Sequence, residues 1–400
     1  MAFPPLMNSE SRLPLSFTKG AGCWLFDEKG QRFFDTTSAL GTTNLGHAHP
    51  VIAHALALQA AELIHCSNQY YSVQQRQLAE RLCQASGLES VFLCNSGDEA
   101  NECAIKIARI HGKKRGIEAP AILVMDKAFH GYTLATLSAS GIRGVQVGFE
   151  PLVSGFIRAP FNDIQAITQI ARANRNIAAV LVEPVQSEAG VIPAAPLYFQ
   201  SLKTLCERLG WLLMIDESQT GNGRCGSYFA YQDYGIVPDV VTTGGSLANG
   251  VPMGACLAGA GAANCLAPGQ HGTLTGGNAL ACSAALASVD FILANHLGER
   301  ALDLGERILQ DLRHELGGNH YIRDIRGRGL LIGIEMMEPC GEIAPLAYTQ
   351  GLLVNVTAEK VIRLMPPINL TDGEAAELVR NLVRLIRLYA GDDRKKPRHS

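Results

Sequence analysis

Two adjacent carboxylates, Asp216 and Glu217, close the apolar run WLLMIDE. A carboxylate at the end of so apolar a segment is costly unless it meets a cation or a hydrogen-bond donor. A protonated heterocyclic nitrogen is one such partner, and an arginine is another. Glu183 and Glu188 follow a second apolar run, AAVLV. Arg363 stands inside VIRLMPP, where a buried guanidinium needs a carboxylate, either the protein's own or a ligand's. In NSGDEANE (residues 95–102) small residues let backbone N–H groups approach an anion at a helix start. The same stretch reads equally as a tight turn capped by Ser96 or Asp98. AFHG (residues 128–131) offers Phe129 and His130 either to a flat ring or to the core. HGTLTGGNALAC is a glycine-rich turn before a helix, and by itself it says little more.

These residues need elements to position them. SVFLCN, AILVMD, AAVLVEP, WLLMIDE and PDVVTTG read as buried strands. Between them QRQLAERLCQAS, DEANECAIKIARIHG, DIQAITQIARAN and LYFQSLKTLCERLG carry helical periodicity. Apolar strands alternating with helices predict a parallel sheet covered on both faces. CWLFDEKGQRFFD reads as a β-hairpin, and HPVIAHALALQAAELI as a helix. Residues 283–316 read as one long helix, followed by strands in IRDIRGRGLLIGIEMM and VIRLMPP and a closing helix, EAAELVRNLVRLIRLYAG. The predicted division is residues 1–65 as a segment of a small domain, 66–285 as a large domain, 286–390 as the rest of the small domain and 391–400 as a frayed tail. A cleft between the two domains is the expected ligand site.

A net charge of −3 gives no electrostatic argument for nucleic acid or an anionic membrane. No apolar run is long enough to span a bilayer and no signal-type start is present, so a cytoplasmic protein is expected. The eleven cysteines show no CxxC pairs. They read as reduced thiols, with no metal site.

Taken in order, LGHAHP, SNQYY, NSGDEANE, AFHGYTLATLS, DESQTGNGRCG, NGVPMGA, GGNALAC and RGRGLLIGIE resemble the class III aminotransferases, across about residues 13–388. Within that family the resemblance is to acetylornithine aminotransferases. It implies the fold type I architecture: an α/β large domain with a mainly parallel seven-stranded sheet flanked by helices, and a small α+β domain formed by both chain ends. It also implies pyridoxal 5'-phosphate (PLP) as cofactor. Ser96, Gly97 and Asp98 would bind its phosphate, and Phe129 would stack on the ring with His130 beside it. Asp216 would pair with the ring nitrogen and keep the ring an electron sink. Gln219 would contact the ring 3-oxygen, with Glu183 in support. Arg363 would hold a substrate carboxylate, a task suited to guanidinium. Glu188 stands where the family keeps a gating carboxylate, and Thr273 falls among the substrate-contacting positions. A homodimer is implied, with the loop near Leu274 reaching the partner's phosphate.

The chain departs from the family at the position that matters most. The family writes T-x-A-K-G/S-L-A/G-N-G-V-P-x-G-A where this chain has TTGGSLANGVPMGA. The aligned lysine, which forms the Schiff base and shuttles protons, falls on Gly245. Glycine does neither. Lys106 lies on the helix after NSG, and Lys127 is expected to point away from Phe129. Asp98 replaces Thr or Ala beside the expected phosphate, Tyr132 replaces a substrate-contacting arginine, and Leu274 replaces a phosphate-binding threonine. The expectation is therefore an aminotransferase homologue with no catalytic residue assigned, unable to perform ordinary PLP Schiff-base transamination and able to pair with a lysine-containing relative in a mixed dimer. One alternative is an enzyme using PLP or pyridoxamine phosphate non-covalently, with His130 as the nearest base. Another is residual aminotransfer between acetylornithine-like donors and 2-oxoglutarate. Losing a positioned acid/base alone costs about 10²–10⁴-fold.

Overall fold

The computed structural model describes residues 6, 7 and 9–391. At its centre is a seven-stranded sheet in the spatial order Ser90–Cys94, Gly254–Ala258, Val240–Thr243, Leu212–Asp216, Ile177–Val182, Ala121–Met125, Phe156–Ala159. The strands from Val240–Thr243 to Phe156–Ala159 pair in parallel. Gly254–Ala258 runs antiparallel to both its neighbours. The sheet is therefore mainly parallel, as its sequence implied. AILVM, IAAVLV and LLMID are buried at every position, because helices cover both faces. Gly254–Ala258 was not foreseen as a strand. Its GACLA carries too little β-branching to stand out beside the turn residues before it.

The hairpin Trp24–Asp27/Arg32–Asp35 forms where expected, and Arg32–Asp35 pairs in parallel with Leu352–Leu353 near the other end of the chain. A second sheet joins Ile322–Arg328, Leu331–Met336, Val361–Leu364 and Asn355–Thr357. Arg363 lies on the third of these strands, opposite Gly333 and Asn355.

The single long helix expected over residues 283–316 is two helices, Ala279–Ala294 and Leu297–Leu316, bent by 66°. His296 adopts φ 51°, which ends the first run. The Asn295 side chain donates to the Phe291 carbonyl at 2.8 Å and satisfies that helix end. The boundary placed at 285/286 falls inside the first of these helices. No single helix among the described residues is long and apolar enough to cross a membrane. The tail is described only at Gly391, and residues 392–400 lie outside the described residues.

Candidate functional site

The carboxyl ends of the parallel strands open onto a cavity of about 350 Å³. Ligands of open α/β sheets bind at this edge. Asp216 ends its strand there and is almost fully buried. Its Oδ2 accepts from Asn101 Nδ2 and meets His130 Nδ1, both at 2.8 Å, and its Oδ1 accepts from the Ser218 N–H at 3.0 Å. Burial opposes ionisation, but the hydrogen bonds from His130 and Ser218 outweigh it and hold the carboxyl below its ordinary range. The carboxylate is thus built to stay charged.

Asn101 fixes this arrangement. It also donates to the His130 carbonyl at 2.9 Å and accepts from Thr242 Oγ1 at 2.6 Å. The sequence reading passed over Asn101, although it belongs to NSGDEANE. It sits one helical turn inside Gly97–Lys114, on the face turned toward Asp216. His130, the nearest base in the alternative reading, is held against Asp216. Its side chain is wholly enclosed, Nδ1 is taken by Asp216, and Nε2 is buried with no partner among the described residues. It positions Asp216.

Phe129 borders the cavity, and its N–H donates to Glu183 Oε2 at 3.2 Å. Burial first, and then the nearby Asp216 charge, push the Glu183 carboxyl well above its ordinary range. Two carboxyls at one strand edge therefore have opposite preferences, Asp216 for the charge and Glu183 for the proton.

Helix Gly97–Lys114 points its N-terminus into the same cavity. Ser96 is the N-cap, accepting from the Glu99 N–H at 3.1 Å. The first N–H groups, at Gly97 and Asp98, have no intrahelical acceptor and face an anion site in character. Asp98 is not the cap. Its Oδ2 accepts from the Tyr132 N–H at 2.8 Å, which ties the two loops together. Burial, with the Asp216 charge adding to it against that hydrogen bond, raises the Asp98 pKa.

Gly245 lines the cavity at φ +49°. A Cβ there would meet only Thr42 Cγ2 at 3.4 Å and the Ser218 carbonyl at 4.0 Å, so there is room for a side chain. Gly244 before it is different: a Cβ would lie 2.4 Å from the Gly97 nitrogen. The two glycines thus press this loop against the helix start. Asn222 holds the loop through Thr243 Oγ1 and Ser246 Oγ, at 3.0 and 2.8 Å. Asn249, at φ 50°, accepts from the Leu45 N–H at 2.7 Å and donates to the Gly46 carbonyl at 3.1 Å. These contacts explain the turn that NGVPMGA makes.

Arg363 is 2% exposed and already matched. Its Nη1 donates to Glu188 Oε1 at 2.5 Å, Ser187 Oγ at 2.9 Å and Gln219 Oε1 at 3.3 Å, and its Nε to Asn355 Oδ1 at 3.0 Å. Gln219 borders the cavity and also donates to Glu188 at 3.3 Å. Tyr132 is 71% exposed, packs edge-on to Phe129 with centroids 5.0 Å apart, and stands just outside the central cavity. Leu274 and Thr273 do not border it within one chain. Leu274 is 86% exposed, and Thr273 accepts from Asn95 Nδ2 at 3.1 Å.

Among the described residues no lysine borders the central cavity. Lys106 Nζ lies 3.1 Å from His271 Nδ1 and faces another cavity. Lys127 lies in the turn after Ala121–Met125. It borders a neighbouring cavity together with Phe129, Tyr132 and Glu188, and its backbone is left-handed at φ 62°.

A sheet-edge cavity with a charged aspartate, an aromatic wall and a helix N-terminus suits a flat, anionic heterocycle. The chain belongs to the class-III aminotransferase family, whose model matches residues 6–386. It is 46% identical over 384 residues to the acetylornithine aminotransferase of Nitrosomonas europaea, covering 96% of this chain and 98% of that one. Among solved structures it is similar to the acetylornithine aminotransferase of Elizabethkingia anophelis, with TM-score 0.85 and 31% identity over 95% of each chain. It is also similar to the ornithine aminotransferase of Toxoplasma gondii, with TM-score 0.93 and 29% identity over 98% of this chain and 94% of that one; that structure is described as having partial occupancy of PLP at its active site.

Proposed function

We propose that this chain is an acetylornithine aminotransferase-like protein that binds PLP without a covalent link and does not carry out ordinary transamination. The observation that carries the reading is Gly245: the position that the family pattern gives to lysine is a glycine in the cavity wall, at a left-handed φ. The rest of the site fits the cofactor. Asp216 would pair with its ring nitrogen, Phe129 would face the ring, and Gln219 would lie near the ring oxygen. The N–H groups of Ser96, Gly97 and Asp98 would face the phosphate. When bound, PLP supplies an electron-withdrawing ring to an amino substrate. The chain's own part is to charge-match the ring nitrogen, exclude water from Asp216, and hold Arg363 and Glu188 at the substrate end. It offers no amine to the cofactor at residue 245 and no exposed imidazole to move a proton, since His130 is enclosed.

A second reading, aminotransfer between acetylornithine-like donors and 2-oxoglutarate, is favoured by 46% identity along nearly the whole chain. One experiment separates the two. The protein is loaded with PLP, dialysed, and treated with borohydride. Cofactor that is retained yet washes out on denaturation supports the proposal. A visible band that borohydride fixes to the chain, or turnover of acetylornithine with 2-oxoglutarate, overturns it. We further propose a homodimer in which Leu274 and Thr273 of one copy approach the other copy's cavity, with a mixed dimer as the variant of the same contact.

A further inference from the structure

Cys103 lies on the helix Gly97–Lys114 and Cys256 at the middle of the strand Gly254–Ala258, and the helix packs on that strand. Both thiols are free, both are almost fully buried, and they face each other. Two basic side chains stand beside them. Lys106 is one turn further along the helix, and its Nζ lies 3.1 Å from His271 Nδ1. His271 packs on Phe92 with ring centroids 4.6 Å apart, and Phe92 is the residue paired with Cys256 across the strands. We propose that Cys103 and Cys256 form a peroxide-reactive dithiol, a modification site in which Cys103 is the nucleophile and Cys256 the resolving thiol.

A buried cysteine is ordinarily an inert apolar side chain. Two things set Cys103 apart. The first is charge. A hydrogen bond from the Cys256 thiol, and then His271 and the Lys106 ammonium, outweigh burial and hold the Cys103 thiol below its ordinary range. The same contact, with burial, pushes Cys256 well above it. One member of the pair is thus the thiolate and the other keeps its proton, the division that attack followed by resolution needs. The second is access. Lys106 and His271 belong both to the surroundings of Cys103 and to the wall of a cavity of about 560 Å³, together with Phe92 and Thr273. His271 Nε2 is buried with no hydrogen-bond partner among the described residues, which leaves a polar atom for the entering oxidant.

The chemistry balances with hydrogen peroxide as oxidant. The Cys103 thiolate attacks one peroxide oxygen and the O–O bond breaks. The other oxygen leaves as hydroxide and takes a proton to become water, and Cys103 becomes a sulfenic acid. Cys256, on losing its proton, attacks the Cys103 sulfur; the S–O bond breaks, a second water leaves and a disulfide remains. Two thiols are oxidised and one peroxide is reduced. The link would tie the helix that begins at Gly97 to the strand that follows Met253, and both Gly97 and Met253 border the central cavity.

The test involves no cofactor, so its outcome is independent of the reading of the central cavity. The full-length reduced protein is treated with stoichiometric hydrogen peroxide, alkylated under denaturing conditions and mapped by peptide mass spectrometry. A linked Cys103–Cys256 peptide pair, released by dithiothreitol, is expected ahead of oxidation at the other cysteines. In Cys256→Ser the reaction is expected to stop at a sulfenic acid on Cys103, which dimedone captures. In Lys106→Gln the rate of linkage is expected to fall about tenfold, because the thiolate loses a neighbouring cation. Cys94 belongs to the same core and is the competing partner. Linkage of Cys103 to Cys94 in place of Cys256, oxidation of other thiols while Cys103 and Cys256 are both alkylated, or a rate unchanged in Lys106→Gln overturns the proposal. So does dimedone on other cysteines but not on Cys103 in Cys256→Ser. Circular dichroism checks the fold of each variant, and the peptide map of the unsubstituted chain decides the pairing even where a variant does not fold.

Discussion

Asp216 and Glu217 are chain neighbours with opposite proton affinities. Asp216 has three donors and keeps its charge, whereas Glu217 is fully buried and accepts from Thr220 Oγ1 at 2.5 Å and the Tyr231 N–H at 2.9 Å. Burial, only partly offset by those bonds, raises Glu217 from 4.5 to about 7. Because the folded state holds this proton more tightly than the unfolded one, the stability it contributes is fully present below the unfolded value. It is lost as pH rises toward 7. The rise corresponds to on the order of 3 kcal/mol. Glu217→Gln should remove this slope: the stability of the parent relative to the variant should fall between about pH 5 and pH 8 in urea unfolding. Parallel curves for the two proteins would show that Glu217 does not titrate there. The sequence placed both carboxylates at a strand end correctly. It did not separate their roles, because a role depends on which donors arrive from Asn101, His130 and Tyr231, far away in the chain.

The loop carrying Gly244 and Gly245 behaves as an element with its own geometry. The two glycines are constrained for different reasons. At Gly244 the constraint is contact, 2.4 Å from a Cβ to the Gly97 nitrogen. At Gly245 it is the dihedral, φ +49°, since a Cβ would make only ordinary contact with Thr42. Gly244→Ala should therefore destabilise by about 1–3 kcal/mol through overpacking and displace the Ser96–Gly97 turn. Gly245→Ala should cost about 1–2 kcal/mol from backbone strain, and Gly245→Asn less, since asparagine tolerates the left-handed region. Urea midpoints for the three variants check the ranking; asparagine and alanine costing the same at residue 245 would refute the strain argument. A lysine placed at 245 would meet that same strain.

At the scale of the whole molecule, buried Arg224 links three distant segments. It donates to the Leu330 and Pro366 carbonyls at 3.0 and 2.6 Å and to Asn44 Oδ1 at 2.8 Å. Burial lowers its pKa to about 10, yet it stays charged at neutral pH. Among the exposed large apolar side chains are Tyr71 at 92%, Leu274 at 86% and Tyr70 at 67%. Large exposed apolar groups of this kind mark interaction surfaces. The proposed homodimer predicts sedimentation as two chains, and Tyr71→Glu with Leu274→Glu should shift it toward one. A monomer in the unmodified protein would remove the dimer and, with it, any role for Leu274 at a cofactor.

What the sequence determined by itself was local and periodic: apolar runs became strands of the central sheet, and Asp216 the end of its strand; of the two caps it offered, Ser96 and Asp98, the structure took Ser96. Residue 245 is glycine whatever the fold. Tertiary structure decided what those residues face. It bent the long helical run at His296, enclosed His130 behind Asp216 and matched Arg363 with Glu188. The reason is physical: periodicity and capping act over one or two turns of chain. Charge pairing and cavity walls are set by segments that meet only after the sheet has assembled, and no spacing within one segment encodes them.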